Sequence, residues 1–224
     1  MKWKDRCNIL LYTAFDLDRI HSNNYIHKDL HSGNILLDKS NNVYIADLGL
    51  STQNNEESDN NYGIIPYMAP EIFCDQPLTT AVDIYSFGII MWEISSGKVA
   101  HYDRKEFNDS LVQEICQGLR PKFVKEIPII YVELANQCMN ADASKRPSAN
   151  HIIQILYMLT QDYCIDFFKE ADSKIKKLES ETSKNDDIIS SCRTYKLILS
   201  NLKKPMNSTD IPEFNLDKYK SRIS

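Results

Sequence analysis

Trp3, Cys7, Leu10, Ala14 and Leu17 recur at three- and four-residue spacing, which predicts a helix running to about His21 with one face in the core. After Ser22-Asn23-Asn24 the pattern shortens. Tyr25-Ile26 is followed by a polar loop, and then Ile35-Leu36-Leu37 and Val43-Tyr44-Ile45 flank Asp38-Lys39-Ser40-Asn41-Asn42, which predicts a small β-hairpin. From Ser51 to Asn61 the residues are almost all polar and read as an exposed loop, with Pro66 and Pro70 marking the return to order; regular strand structure is expected to end here.

Helical patterns follow over Val82 to Ser96, stopped by Gly97; Phe107 to Cys116, stopped by Gly118; Ile129 to Cys138; and Ala149 to Leu159, with Ser148 as N-cap. Val82 to Trp92 is apolar nearly all round, so it is expected to be a buried central helix. Beyond about Gln161 the chain is charge-rich, with one weak stripe at Phe168, Ala171, Ile175 and Leu178 and a second apolar patch at Tyr195 to Leu199. Residues 161–224 therefore read as a partly helical, partly disordered tail after a unit of residues 1–160. Lys176-Lys177 and Lys203-Lys204 read as solvated charge.

At 224 residues and 42% hydrophobic content the chain can bury one sizeable core. A net charge of −5 provides no basic field for nucleic acid or an anionic membrane, so neither is expected as a partner. Cys7, Cys74, Cys116, Cys138, Cys164 and Cys192 are scattered without a CxxC pair, which reads as free thiols of a reducing compartment. The opening residues do not form a signal peptide and no apolar run is long enough to span a bilayer, so an intracellular, cytoplasmic protein is the expectation. His21, His101 and His151 read as structural or solvated.

The candidate chemistry lies in His27-Lys28-Asp29-Leu30-His31-Ser32-Gly33-Asn34, an acid and an amide five residues apart in a loop. Phosphoryl transfer uses both: a carboxylate to take the attacking hydroxyl's proton and an amide oxygen to help hold magnesium. The pair alone would mean little and reads most simply as a solvated loop. Two short strands at roughly 3.3 Å per residue go out and return, which brings Asp47 back towards Asn34. Asp47 is then either a second oxygen ligand or a turn residue before Gly49.

His27-Lys28-Asp29-Leu30 to Asn34, Asp47-Leu48-Gly49, Ala69-Pro70-Glu71, Asp83-Ile84-Tyr85-Ser86-Phe87-Gly88 and Lys145-Arg146-Pro147 occur in this order. Over about residues 3–160 the chain thereby resembles the C-terminal lobe of a eukaryotic protein kinase. Tyr67 to Glu71 together with Trp92-Glu93 is similar to the tyrosine-kinase-like branch of the Ser/Thr kinases. The resemblance implies a mainly α fold, a helical bundle with a small β-hairpin at the catalytic loop and no N-lobe sheet. It also implies ATP and Mg2+ as cofactors and a protein substrate phosphorylated on Ser or Thr.

Residue by residue, the resemblance implies Asp29 as catalytic base, with His31 beside it, and Asn34 and Asp47 as magnesium ligands. Leu36 would lie beneath the adenine, His27 would pack against Leu48, and Asp83 would brace the loop backbone. Glu71 would pair with Arg146. Ser51, Thr52, Ser58 and Tyr62 fall in the implied activation segment, as phosphate acceptors or as polar filler.

The sequence also departs from the family. Gly33 is its first glycine, and the only lysines before Asp29 are Lys2, Lys4 and Lys28, so neither the glycine-rich phosphate loop nor its lysine is present; a fragment or a C-lobe-only protein is expected, inactive alone. Lys28 stands for the usual arginine, His31 for a lysine, Ile64 for a threonine near the acid, and Leu48 for phenylalanine. Two other readings are a non-catalytic, kinase-derived binding module and a small-molecule phosphotransferase of the aminoglycoside or choline kinase type. His31 and Gly33 suit the second, whereas Ala69-Pro70-Glu71 and the helix from Asp83 do not.

Overall fold

The computed structural model describes residues 2–38, 42–53, 62–74 and 76–161, together with Phe168 and Tyr195–Lys196. Helix α1 spans Trp3–Ser22, and its apolar stripe of Trp3, Cys7, Leu10, Ala14 and Leu17 is fully buried. The Asp5 carboxylate accepts the Lys2 amide at 3.3 Å and closes the first turn. After strand β1, Tyr25–Ile26, strands β2 and β3, Ile35–Leu37 and Val43–Ile45, form the hairpin in antiparallel register, Leu36 opposite Tyr44.

Strand structure continues past Ser51, against the sequence expectation. Strand β4, Thr52–Gln53, pairs with β1, and β5, Tyr62–Gly63, pairs with Tyr195–Lys196. Polarity concealed these strands: two-residue ladders at an edge need backbone partners and no apolar face. The remainder of the expected polar loop, 54–61, lies outside the described residues, as do Ala171, Ile175, Leu178, the lysine pairs of the tail and 197–199. Phe168 is described, buried and stacked on Trp3 with ring centroids 5.7 Å apart.

Helix α2, Ala81–Ser96, is the centre of the molecule, with Val82 to Glu93 buried without interruption. A helix hydrophobic on every face must be enclosed. It ends at Gly97, whose φ of 69° is the left-handed conformation that glycine adopts without steric cost. Gly88 in its middle lets helix α4, Ile129–Cys138, approach closely: a Cβ there would meet Met139 Cγ at 2.7 Å and the Ala135 carbonyl at 3.0 Å. Helix α3, Asp109–Cys116, starts two residues after the expected Phe107 because Asn108 caps it, its side chain accepting the Ser110 amide at 3.2 Å. Helix α5, Ala149–Thr160, is capped by Ser148 Oγ, which accepts from His151, and packs along α1.

Among the described residues the fold is thus mainly helical, with three two-stranded ladders. No described helix is long and apolar enough to cross a membrane.

Candidate active site

Asp83, in the first turn of α2, is 1% exposed, and its carboxylate accepts three hydrogen bonds. His27 N–H donates to Oδ2 at 2.8 Å, Lys28 N–H to Oδ1 at 2.9 Å, and His21 Nε2 lies 2.8 Å from Oδ2. The loop after β1 is therefore pinned both to α2 and to the end of α1. Lys28 itself has φ 69°, an unfavourable left-handed conformation for a residue with a Cβ, worth about 1 kcal/mol or more of strain. Two charge-assisted bonds from the adjoining amides hold it there. The Lys28 side chain is half-buried, and desolvation lowers its pKa while the Asp83 charge acts in the opposite direction.

His27 is fully buried. Its Nδ1 accepts from the Asp29 amide at 3.3 Å, so the ring proton sits on Nε2 and is donated to the Ala46 carbonyl at 3.0 Å. One imidazole thereby ties the loop to the strand return beyond β3. Leu48, expected to pack against it, is 57% exposed and is followed by a turn at Gly49 and Leu50. Leu36 is likewise half-exposed, on the outer face of the hairpin.

Asn34 ends a short 3-10 turn, Ser32–Asn34. Its Nδ2 donates to the Asp29 carbonyl at 2.9 Å, which commits the amide nitrogen inwards and leaves Oδ1 as the group available to a cation. Ala46 N–H donates to the Asn34 carbonyl at 2.8 Å, so the hairpin closes one residue before Asp47. Asp47 has φ 61°, and its Oδ1 accepts from the Gly49 amide at 3.2 Å.

His31 Nδ1 accepts from the Gly33 amide at 3.1 Å, leaving Nε2 facing Asp29 Oδ2 at 3.8 Å. Burial lowers the His31 pKa first of all; the Asp29 and Asp47 charges oppose this and His27 adds to it. Asp29, His31 and Asp47 therefore share one electrostatic neighbourhood. Ile64, buried, lines with Lys28 and Asp29 a cavity of only ≈ 10 Å³, room for about one water.

Beneath the loop, Glu71 and Arg146 form a bidentate pair, Nη1–Oε1 2.6 Å and Nη2–Oε2 2.7 Å, both side chains buried. Arg146 also donates to the carbonyls of Ala81 and Asn140 at 2.8 Å. Ser51 is near the loop, its Oγ 3.4 Å from the His27 carbonyl, and Thr52 pairs opposite Ile26. Ser58 lies outside the described residues, and of Tyr62 only the backbone pairing is described.

Three participants escaped the sequence reading. His21, read as structural or solvated, bonds to Asp83. Tyr67 Oη lies 3.1 Å from Ser32 Oγ and donates to Glu93 Oε1 at 2.8 Å, and the Ala100 amide donates to the same oxygen at 2.9 Å. Burial raises the Glu93 pKa, opposed by these donors. The one available signal was Glu93, a carboxylate inside the apolar run of α2. Among the described residues no group of three or more His, Cys, Asp or Glu side chains gathers as a metal cage. Magnesium held by one or two protein oxygens together with phosphates does not need one, and the Asn34 and Asp47 oxygens are hard donors of the required kind.

Residues 1–156 match the family model for protein tyrosine and serine/threonine kinase. The chain is 35% identical over 155 residues to the serine/threonine-protein kinase/receptor R818 of Acanthamoeba polyphaga mimivirus, covering 68% of this chain and 9% of that protein. It is 31% identical over 159 residues to the serine/threonine-protein kinase STY17 of Arabidopsis thaliana, covering 68% and 28%. With the serine/threonine/tyrosine-protein kinase HT1 of the same plant it shares 32% over 154 residues, 66% and 39%. The matched region is thus well under half the length of these relatives. With the family model covering residues 1–156 of 224 and the pinned loop, hairpin and buried ion pair lying within them, the chain belongs to the protein tyrosine and serine/threonine kinase family.

Proposed function

We propose that residues 1–160 act as the base-bearing, magnesium-holding lobe of a protein kinase that transfers the γ-phosphoryl group of ATP to Ser or Thr hydroxyls of a protein. The observation that carries this reading is the loop from His27 to Asn34. Asp83 and His27 fix its backbone on two sides, and Asn34 Nδ2 is bonded to the carbonyl of Asp29 itself. A base held this way is preorganised, so little ordering remains to be done when the substrate hydroxyl arrives.

In this reading Asp29 takes the hydroxyl proton on its carboxylate, and Asn34 Oδ1 and Asp47 are the protein oxygens for magnesium. Bound magnesium would neutralise charge on the phosphates. His31 faces Asp29 through Nε2 and, with its pKa lowered by burial, is neutral at pH 7, so it adds little positive charge beside the carboxylate. Glu71 and Arg146 hold the segment after β5 against α2. Ser51 and Thr52 are acceptor positions for a regulatory phosphate. The Ser/Thr preference is supported by the similarity to serine/threonine-protein kinases, and the tyrosine-kinase-like branch rests on the resemblance of Tyr67 to Glu71 and Trp92-Glu93 alone.

Glycines spaced to cover phosphates do not occur before Gly33. The 224-residue chain by itself is therefore expected to bind Mg-ATP only weakly. Calorimetric titration checks this, and micromolar affinity would overturn it. The transfer reaction is tested by fusing a glycine-rich, ATP-binding kinase N-lobe in front of Met1 and following labelled phosphate into Ser/Thr and Tyr peptide pools. Transfer to Ser/Thr that Asp29→Asn lowers by a hundredfold or more, in line with general-base catalysis, supports the proposal. Equal transfer by the variant, or acceptance of small aminoalcohols instead of peptides, refutes it.

A further inference from the structure

The C-terminal end of α2 borders a cleft of ≈ 400 Å³. Ser96, at that end, lies about 20 Å along the helix axis from Asp83, at roughly 1.5 Å per residue, so the cleft is separate from the loop that carries Asp29. Trp92, Tyr102 in the loop after Gly97, and Leu119, Phe123 and Ile127 in the chain after α3 supply its apolar walls. Trp92 Nε1 donates to the Lys122 carbonyl at 3.0 Å and Arg120 Nε to the Met139 carbonyl at 2.8 Å, which fixes those walls against the helices. The volume falls within the roughly 300–1,000 Å³ of small-molecule sites. Arg6, Lys98, Arg120 and Lys122 line the cleft against one acid, Asp103, in a chain whose net charge is −5. Arg120 is 7% exposed; its Nη1 donates to the carbonyls of Ile115 and Leu119, its Cζ lies 5.1 Å from the centre of the Tyr85 ring, and its Nη2 has no hydrogen-bond partner among the described residues. Those contacts are all with neutral groups, so no carboxylate cancels the charge. His101, equally buried, leaves its Nε2 without a partner. Buried polar atoms without partners are few in native proteins, and this cleft is lined by two side chains that carry one.

We propose that this cleft is a binding site for a small organic anion, a single carboxylate carried on an aromatic or aliphatic body. The apolar walls take the body. Lys122, which is exposed, and Lys98, which is half-buried with its Nζ 3.0 Å from Tyr102 Oη, meet the carboxylate, and Arg120 and His101 form the polar wall behind it. The uncancelled charge of Arg120 favours an anion there, and His101, neutral at pH 7 because burial lowers its pKa to about 4, offers a hydrogen-bonding nitrogen without adding charge. A monoanion suits the cleft better than a phosphate dianion, since each further charge must shed its water against walls that are mainly apolar. Because the walls are already held by Trp92 and Arg120, little ordering is left for binding to supply.

The full 224-residue chain is titrated at pH 7 with naphthoate, with the neutral naphthalenemethanol and with the cationic naphthalenemethylamine, by calorimetry and by NMR of its two tryptophan indoles. Naphthoate is expected to bind saturably and roughly tenfold or more tighter than the alcohol, the usual gain from hydrogen bonds to a charged group, with the amine weakest of the three. The Trp92 indole signal should move more than that of Trp3, which does not line the cleft. Lys98→Met combined with Lys122→Met should weaken naphthoate by about tenfold and leave the alcohol unchanged, a split that a general folding defect does not produce. The three probes on the unsubstituted chain give the primary result, so it stands whether or not the variant folds. Equal binding of naphthoate and the alcohol, binding that leaves Trp92 unmoved, or no saturation by millimolar naphthoate overturns the proposal.

Discussion

Asp83→Asn is the substitution that should most directly release the loop from His27 to Asn34. Asparagine has the same shape but offers one acceptor oxygen and an NH2 group in place of two carboxylate oxygens. Those oxygens now serve His27 N–H at 2.8 Å and Lys28 N–H at 2.9 Å, with His21 on the same Oδ2. In either amide orientation a donor is set against a donor. One charge-assisted bond is lost, costing about 1.5–3 kcal/mol, and a buried N–H is left unsatisfied for about 1–3 kcal/mol more. Lys28 then has less reason to stay at φ 69°. The combined loss, about 3–5 kcal/mol, is comparable to that from breaking a buried ion pair. Urea unfolding followed by circular dichroism measures the total, and hydrogen exchange at the His27 and Lys28 amides tests whether it arises in this loop. His21→Ala removes a single bond and should cost only about 1 kcal/mol. If Asp83→Asn loses less than about 1 kcal/mol and both amides still exchange slowly, the loop is not held by Asp83 and the reasoning fails.

Other sites give independent checks. Glu71→Ala or Arg146→Ala should each destabilise by about 3–5 kcal/mol, because the remaining charge is buried at the Glu71–Arg146 contact, whereas the double change Glu71→Leu/Arg146→Met should cost clearly less than the sum in a urea double-mutant cycle. Gly88→Ala should destabilise by about 1–3 kcal/mol through overpacking, since the new Cβ meets Met139, Cys138 and the Ala135 carbonyl at 3.0 Å or less; an unchanged urea midpoint would contradict that close approach. His101 is buried and its pKa is lowered to about 4, chiefly by desolvation. The unfolded chain therefore binds more protons between the ordinary histidine value of 6.5 and about 4, and stability falls as pH drops through that window. His101→Asn tolerates the φ of 58° and should flatten the wild-type decline by about 3 kcal/mol, read from urea midpoints across the window.

Helix positions were legible because they follow from local spacing. Helix α4 lies at the expected Ile129–Cys138, and α2 and α5 match within one residue at each end, since a buried stripe or an all-apolar run leaves few alternatives to a helix. The start of α3 was misplaced because Phe107 is apolar and buried without being helical, Asn108 being the cap. The short strands β4 and β5 were missed for the opposite reason: a backbone ladder can form between polar residues, and no side-chain pattern records it. Within the site, the order of Asp29, Asn34 and Asp47 and the hairpin between them could be read directly. Leu48 could not, because an apolar residue next to a glycine turn carries no signal of whether it faces inwards or out.

The sequence by itself therefore determined the helices, the hairpin, the order of the loop residues and the family, all properties of residues close together along the chain. The resemblance had implied Asp83, 56 positions from His27, as the brace of that loop, but only the tertiary structure decided that His21 joins it, a residue that nothing local distinguishes from a solvated histidine. It also decided that Tyr67 and Glu93 lie behind Ser32. The physical reason is that hydrogen bonds depend on atoms a few ångströms apart, and helices packed around α2 bring distant residues to that range only once the core has closed.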